Sequence, residues 1–151
     1  MSDSFRNASG RKVISRASAR DLGVVSQFLV DADEPRIAAL VIGRGKKAQL
    51  VEWAQVTGFG PDAVMVDDEA ALRPPADDRE RAAADGKLDL VGRRTLTERG
   101  TELGNVDDVT FDAGNGAVEI LRIGEREIPA GAMLGIGPYA VVLDATQEAT
   151  V

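Results

Sequence analysis

Few residues of this chain come in types and spacings that could do chemistry, and a handful of short stretches hold nearly all of them. Gly43-Arg44-Gly45-Lys46-Lys47 sets backbone N–H groups beside cationic side chains, a combination able to hold a phosphate. It lacks the glycine spacing of a P-loop, the Ser or Thr after the lysine and a helix-length segment behind it. It is therefore read as a glycine-rich hairpin tip whose cations can meet an anion or RNA. Asp107, Asp108, Asp112 and Asn115 offer oxygens to a cation, but without the spacing and closing Glu of a calcium loop. Asp67-Asp68-Glu69 crowds carboxylates together. Acid–base work needs carboxylates whose environments separate their pKa values, and neighbours at a strand end share one solvated environment. The Gly58-x-Gly60 and Gly135-x-Gly137 pairs are too short for a dinucleotide fingerprint and lead into proline and a strand, where that motif requires a helix.

What the chain lacks is as informative. With Cys 0 and His 0, thiolate nucleophiles, disulfides, imidazole bases and the thiolate or imidazole metal sites are excluded. Ser and Thr are plentiful but have no histidine partner, and no Ser-Lys spacing motif is present. We assign no catalytic, cofactor-binding or metal-ligating residue, and the expectation is a protein that is not an enzyme and carries no cofactor. The formal charge of −7, with Lys and Arg scattered among carboxylates, works against unspecific binding to nucleic acid. Arg11, Lys12, Arg16 and Arg20 form the densest basic run. The N-terminus has no apolar signal core and no later segment approaches a membrane span, so a cytoplasmic protein without direct membrane insertion is expected. Asn7-Ala8-Ser9 matches a glycosylation acceptor by chance.

The elements that must position these residues come in two copies. Gly58 to Asp67, GFGPDAVMVD, returns as GIGPYAVVLD at Gly135 to Asp144, and DLGVVSQFLVD at Asp21 to Asp31 returns as ELGNVDDVTFD at Glu102 to Asp112. Gly23 and Gly43 lie 81 residues before Gly104 and Gly124, whereas Gly58 lies 77 before Gly135. Copy one thus carries extra residues around its basic tip. Repetition of this kind marks a duplicated structural unit.

Lys12-Val13-Ile14 reads as a short first strand. In Val24 to Val30 the alternation of Phe28 and Val30 slips at Val25, and Val109, Phe111 and Val106 repeat the slip. Matching slips predict β-bulges near Ser26-Gln27 and Asp107-Asp108, which curl a small sheet. Asp31 to Pro35 and Asp112 to Gly116 are hairpin turns, each followed by a strand apolar on both parities and ending at Gly43 or Gly124. Glu52 to Val56 and Pro129 to Met133 form a turn before the closing strand. Trp53 is expected in core or interdomain packing, and Phe28, Phe59 and Phe111 in the core. Residues 1 to 11 read as a loose end, ordered only if it packs on a repeat. Ala76 to Asp85, after Arg73-Pro74-Pro75, reads as a short polar helix serving as a spacer. The tail beyond Asp144 carries no pattern.

Leu22-Gly23-x-Val25, Phe28-x-Val30-Asp31, Ile42-Gly43 and Gly58 to Asp67, with Leu103-Gly104-x-Val106, Val109-x-Phe111-Asp112, Ile123-Gly124, Ile128-Pro129 and Gly135 to Asp144, resemble the PRC-barrel domain family. This is the small β-barrel of the photosynthetic reaction-centre H subunit and of the ribosome maturation factor RimM. Glu52 departs from the pattern where copy two has Pro129. The resemblance implies an all-β fold of two PRC-like barrels, residues 10–70 and 88–145, with a partly helical linker at 71–87. It implies a protein-binding or assembly adaptor whose partner is another protein, with homodimerisation through open strand edges as a further expectation. An RNA- or ribosome-associated maturation factor, and a small-ligand-binding or carboxylate-based enzymatic protein, are the alternatives.

Overall fold

The computed structural model describes residues 1–149. The chain runs β1 (Ser2–Ser4), α1 (Phe5–Ala8), β2 (Lys12–Ser15), β3 (Asp21–Asp31), β4 (Arg36–Ile42), β5 (Gln49–Glu52), β6 (Val56–Phe59) and β7 (Ala63–Val66). It continues through α2 (Asp78–Ala84), β8 (Arg94–Thr97), β9 (Glu102–Asn105), β10 (Asp108–Asp112), β11 (Val118–Ile123), β12 (Arg126–Pro129), β13 (Met133–Ile136) and β14 (Val141–Leu143). Strands dominate, but the two helices make the fold mixed α/β where all-β was expected.

The first half forms a six-stranded sheet in the order β5-β4-β3-β2-β7-β6. It curls because β3 serves two neighbours in turn: Asp21 to Val24 pair with β2 and Val25 to Asp31 with β4. The register with β4 shifts between Val25 and Gln27, where the phase slip predicts a bulge. In the second half the order is β12-β11-β10 in one sheet and β9-β8-β14-β13 in another. The counterpart of β3 is interrupted between Asn105 and Asp108 in place of the bulge expected at Asp107-Asp108, and the register of β10 against β11 shifts further on, between Thr110 and Phe111. Short 3₁₀ turns at Trp53–Gln55 and Ala130–Ala132 precede β6 and β13.

One contiguous core joins the halves, from Phe5, Val13 and Phe28 to Phe111, Leu121 and Leu143. Between them the backbone makes a reciprocal pair of hydrogen bonds: the Ile37 N–H donates to the Gly116 carbonyl at 2.8 Å and the Val118 N–H to the Pro35 carbonyl at 2.9 Å. Arg36 and Ala117 face each other across this antiparallel bridge. They are 81 residues apart, so equivalent positions meet each other, the arrangement of a local twofold.

The N-terminal segment corrects the expectation of a loose end. β1 adds to the outer edge of β10 in the far half, with Asp3 opposite Phe111. Ser4 caps α1 by accepting from the Asn7 N–H, and Phe5 turns inward to stack on Phe28 at 4.1 Å between centroids, with Phe111 at 5.5 Å. Phe5 is 4% exposed. Burying one ring is worth about 1.5–3 kcal/mol, enough to order a few residues that carry no periodicity of their own.

The linker helix is likewise docked, where a free spacer was expected. Ala83 and Ala84 are buried in a second, smaller cluster with Leu29, Ala39, Val41 and Leu50, on the outer face of the first sheet. Small side chains let the short helix lie close to the sheet. Arg73 anchors its approach: Leu50 and Arg73 exchange backbone hydrogen bonds, and the Arg73 guanidinium donates to both Glu80 carboxylate oxygens at 2.7 Å. That bidentate contact holds the Glu80 pKa down at about 2. A depressed carboxylate pKa contributes stability above its ordinary value near 4.5, lost as pH falls toward about 2. Glu80→Gln should therefore loosen α2 by about 1 kcal/mol at neutral pH. Pepsin cleavage between Arg73 and Asp85 should rise in the wild type as pH drops through that window; a cleavage rate flat with pH, or one unchanged by the substitution, would contradict the latch.

Candidate functional site

The residues singled out for chemistry do not converge. Arg44, Lys46 and Lys47 stand exposed at the tip between β4 and β5, where Gly43 and Gly45 take positive φ of 78° and 67° and a 3₁₀ turn closes the loop. The tip presents cations outward, without a cradle of converging N–H groups. The acidic candidates of copy two are spent on backbone. Asp108 accepts from the Arg6 and Val109 N–H groups, Asp107 from Gly124 N–H and Asp112 from Gly114 N–H. Among the described residues no cluster of three acidic side chains could hold a metal ion. Of the linker-start carboxylates, Asp68 caps a 3₁₀ turn and Asp67 meets Arg16 at 3.2 Å. Glu69 accepts from the Ser18 hydroxyl, which lowers its pKa. A carboxylate held ionised in this way is a poor proton donor near neutral pH.

The basic run is dispersed by the fold. Arg11 is buried, donating to Asp3 Oδ2 at 2.7 Å and to the Gly60 carbonyl at 2.8 Å, with its guanidinium 5.3 Å from the Phe59 ring centre. Lys12 pairs with Asp21 at 2.7 Å and Arg20 is exposed. Arg11 is thus a structural tie between the N-terminal segment and the β6–β7 turn. Trp53, half-buried, packs on Phe59 at 5.6 Å and against Gly116 of the other half. Tyr139 is 67% exposed, hydrogen-bonded to Arg94, whose guanidinium lies 4.8 Å from the ring centre.

One carboxylate escaped sequence reasoning. Asp89, just past α2, is half-buried in a cleft of about 420 Å³ shared with Phe28, Arg6 and Arg44. Burial pushes its pKa up, against the pull of Arg93 and Arg44. No local signal marked it, because its surroundings come from β3 and the β4–β5 tip. A raised carboxylate pKa contributes stability below the ordinary aspartate value that is lost as pH rises through the folded value. Asp89→Asn should raise the urea midpoint near pH 7 and leave it unchanged near about pH 3. A lower midpoint at neutral pH would mean that Arg93 and Arg44 outweigh the desolvation.

The first half is thus a curled, half-barrel sheet over a filled apolar interior. Residues 3–73 match the PRC-barrel domain family, so a PRC-barrel-like domain occupies the first half of the chain. Such domains are generally protein-interaction modules and are typically without catalytic function. The match begins at Asp3 and so takes in β1 and α1 as well as the sheet. No curated protein matches the chain. No helix among the described residues is long and apolar enough to cross a membrane.

Proposed function

We propose that the chain is a non-enzymatic adaptor that binds another protein, built from tandem PRC-type units at residues 10–70 and 88–145 around the docked 71–87 linker. The observation that carries this reading is the interior of the fold. Val13, Val25, Leu40, Val64 and Phe111 are fully buried in it, which leaves no room for a ligand and puts any function on the outer surface. Tandem units are supported by the matching strand order of the two halves and by the bridge at Arg36 and Ala117. Terminal strands β6, β12 and β13 offer edges for a partner, whereas Arg73 already pairs with Leu50 on the β5 edge.

Co-purification of the tagged protein at moderate salt, with nuclease applied to half the sample, tests the reading. A reproducible protein partner that survives nuclease is the expected result, and recovery of the bait alone would defeat it. The same edges favour homodimerisation, and a solution mass that stays at the 15.9 kDa of one chain at micromolar concentration would remove that part. A second reading, an RNA- or ribosome-associated factor, draws on the exposed Arg44, Lys46 and Lys47. It requires RNA binding that weakens steeply with salt and with substitution of these residues.

A further inference from the structure

The two halves present equivalent clefts, and the chain partly fills one of them, which leaves it less than half the volume of the other. The first lies between the β10–β11 turn at Ala113-Gly114 and Thr57 to Phe59 of β6, and measures about 300 Å³. Two parts of the chain occupy it. Trp53 lies along one wall, and the segment Met1 to Ser4 runs along the edge of β10, where Ala113 donates its N–H to the Met1 carbonyl at 2.9 Å.

The second cleft, of about 660 Å³, lies between Val30 to Glu34 at the β3–β4 turn and Leu134 to Ile136 of β13, the corresponding segments of the other halves. Here Trp53 is replaced in the repeat by Ala130, which follows Pro129 as Trp53 follows Glu52. Among the described residues no strand is added beside Leu29 to Asp31, which correspond to the positions that β1 pairs with in β10. Arg79 of α2 approaches that edge, donating to the Val30 carbonyl at 3.1 Å and to Asp31 at 2.5 Å, and Leu88 lines the same cleft. The larger cleft is thus the one that lacks both the added strand and the large ring.

Two features define what fits. Leu134 is 51% exposed where the smaller cleft has Thr57, so the wall is apolar, and β13 is the last strand of its sheet. The rim is acidic. Arg79 is engaged by Asp31, while Asp33 and Glu34 are exposed and take part in no ion pair among the described residues. We propose that this cleft docks an extended segment of a partner protein, with a bulky apolar side chain against Leu134 and Ile136 and a Lys or Arg facing Asp33 and Glu34. The proposal rests on the adaptor reading and gives it a location and a ligand chemistry.

The test is selection from a random heptapeptide display library on the immobilised full chain, followed by affinity measurement with the synthesised winners. Leu134→Asp, the double variant Asp33→Lys with Glu34→Lys, and Thr57→Asp in the smaller cleft are all at exposed positions, and circular dichroism confirms that each is folded. The expected winners combine basic and large apolar residues. They should lose at least about tenfold in affinity on Leu134→Asp and on the double variant, and hold their affinity on Thr57→Asp. No enrichment, acidic winners, or winners indifferent to Leu134→Asp would overturn the proposal. So would a fall in oligomeric mass caused by Leu134→Asp, which would make a second copy the occupant. Winners that bind elsewhere would sink the cleft and leave the adaptor reading standing, whereas that reading falls only with the co-purification.

Discussion

Phe5→Ala is expected to lower the unfolding free energy by about 3–5 kcal/mol, roughly a fifth or more of the 5–15 kcal/mol that a domain typically has to lose. The ring is 4% exposed and contacts an aromatic from each half, Phe28 and Phe111. Its loss removes apolar burial, leaves a cavity that the surrounding strands cannot close, and releases the anchor between β1 and β2. Beyond the lower urea midpoint, amide exchange should quicken along Thr110 to Asp112, because β1 is the only cover that edge has in the sheet order. A loss below about 1 kcal/mol would show that the N-terminal segment is an accessory, and the account of its ordering would have to be withdrawn.

Gly116→Ala should cost about 2–4 kcal/mol, by two separable effects. Gly116 sits at φ +77°, where any Cβ is strained, and that Cβ would stand 2.8 Å from Trp53 Cε2. Gly92 is the internal control. It has φ +85° with nothing within 4 Å, so Gly92→Ala should show the backbone strain alone, about 1 kcal/mol. The difference between the variants measures the packing of Trp53 on the bridge between the halves. Trp53 is the single tryptophan, so its fluorescence should shift to the red in Gly116→Ala and stay put in Gly92→Ala. Equal losses in the two variants would mean that the ring moves aside freely and does not hold the halves together.

The duplicated strand plan was legible in the sequence because its determinants are local. The bulge in β3 follows from a slip in alternation at Val25, whereas the matching slip at Val106 marks a strand break; hairpins follow from Asp31 to Pro35 and Asp112 to Gly116, and the 3₁₀ turns from the segments before β6 and β13. The scarcity of chemistry was equally plain, since a chain without cysteine or histidine declares what it cannot do. The PRC-barrel resemblance rested on the same turns, and the family match covers its first half.

What the sequence left open depends on contacts between distant residues, which leave no periodic trace. β1 has three residues and α1 four, too few to show a pattern, and their order comes from an edge and an aromatic cluster roughly a hundred residues away. The helix at Asp78–Ala84 looks like a solvated spacer because its polar side chains dominate the composition, yet two alanines and one arginine decide that it docks. Arg11 belongs to a basic run in sequence and to a buried ion pair in space. By itself the sequence determined most of the strand plan and excluded thiol and imidazole chemistry. Only the tertiary structure decided that the two halves share one core, and which of their equivalent clefts the chain narrows with its own N-terminal strand and Trp53. The reason is that strand patterns are written in neighbouring residues, whereas the partner of an edge or the occupant of a cleft is settled by the balance of burial and chain entropy over the whole fold.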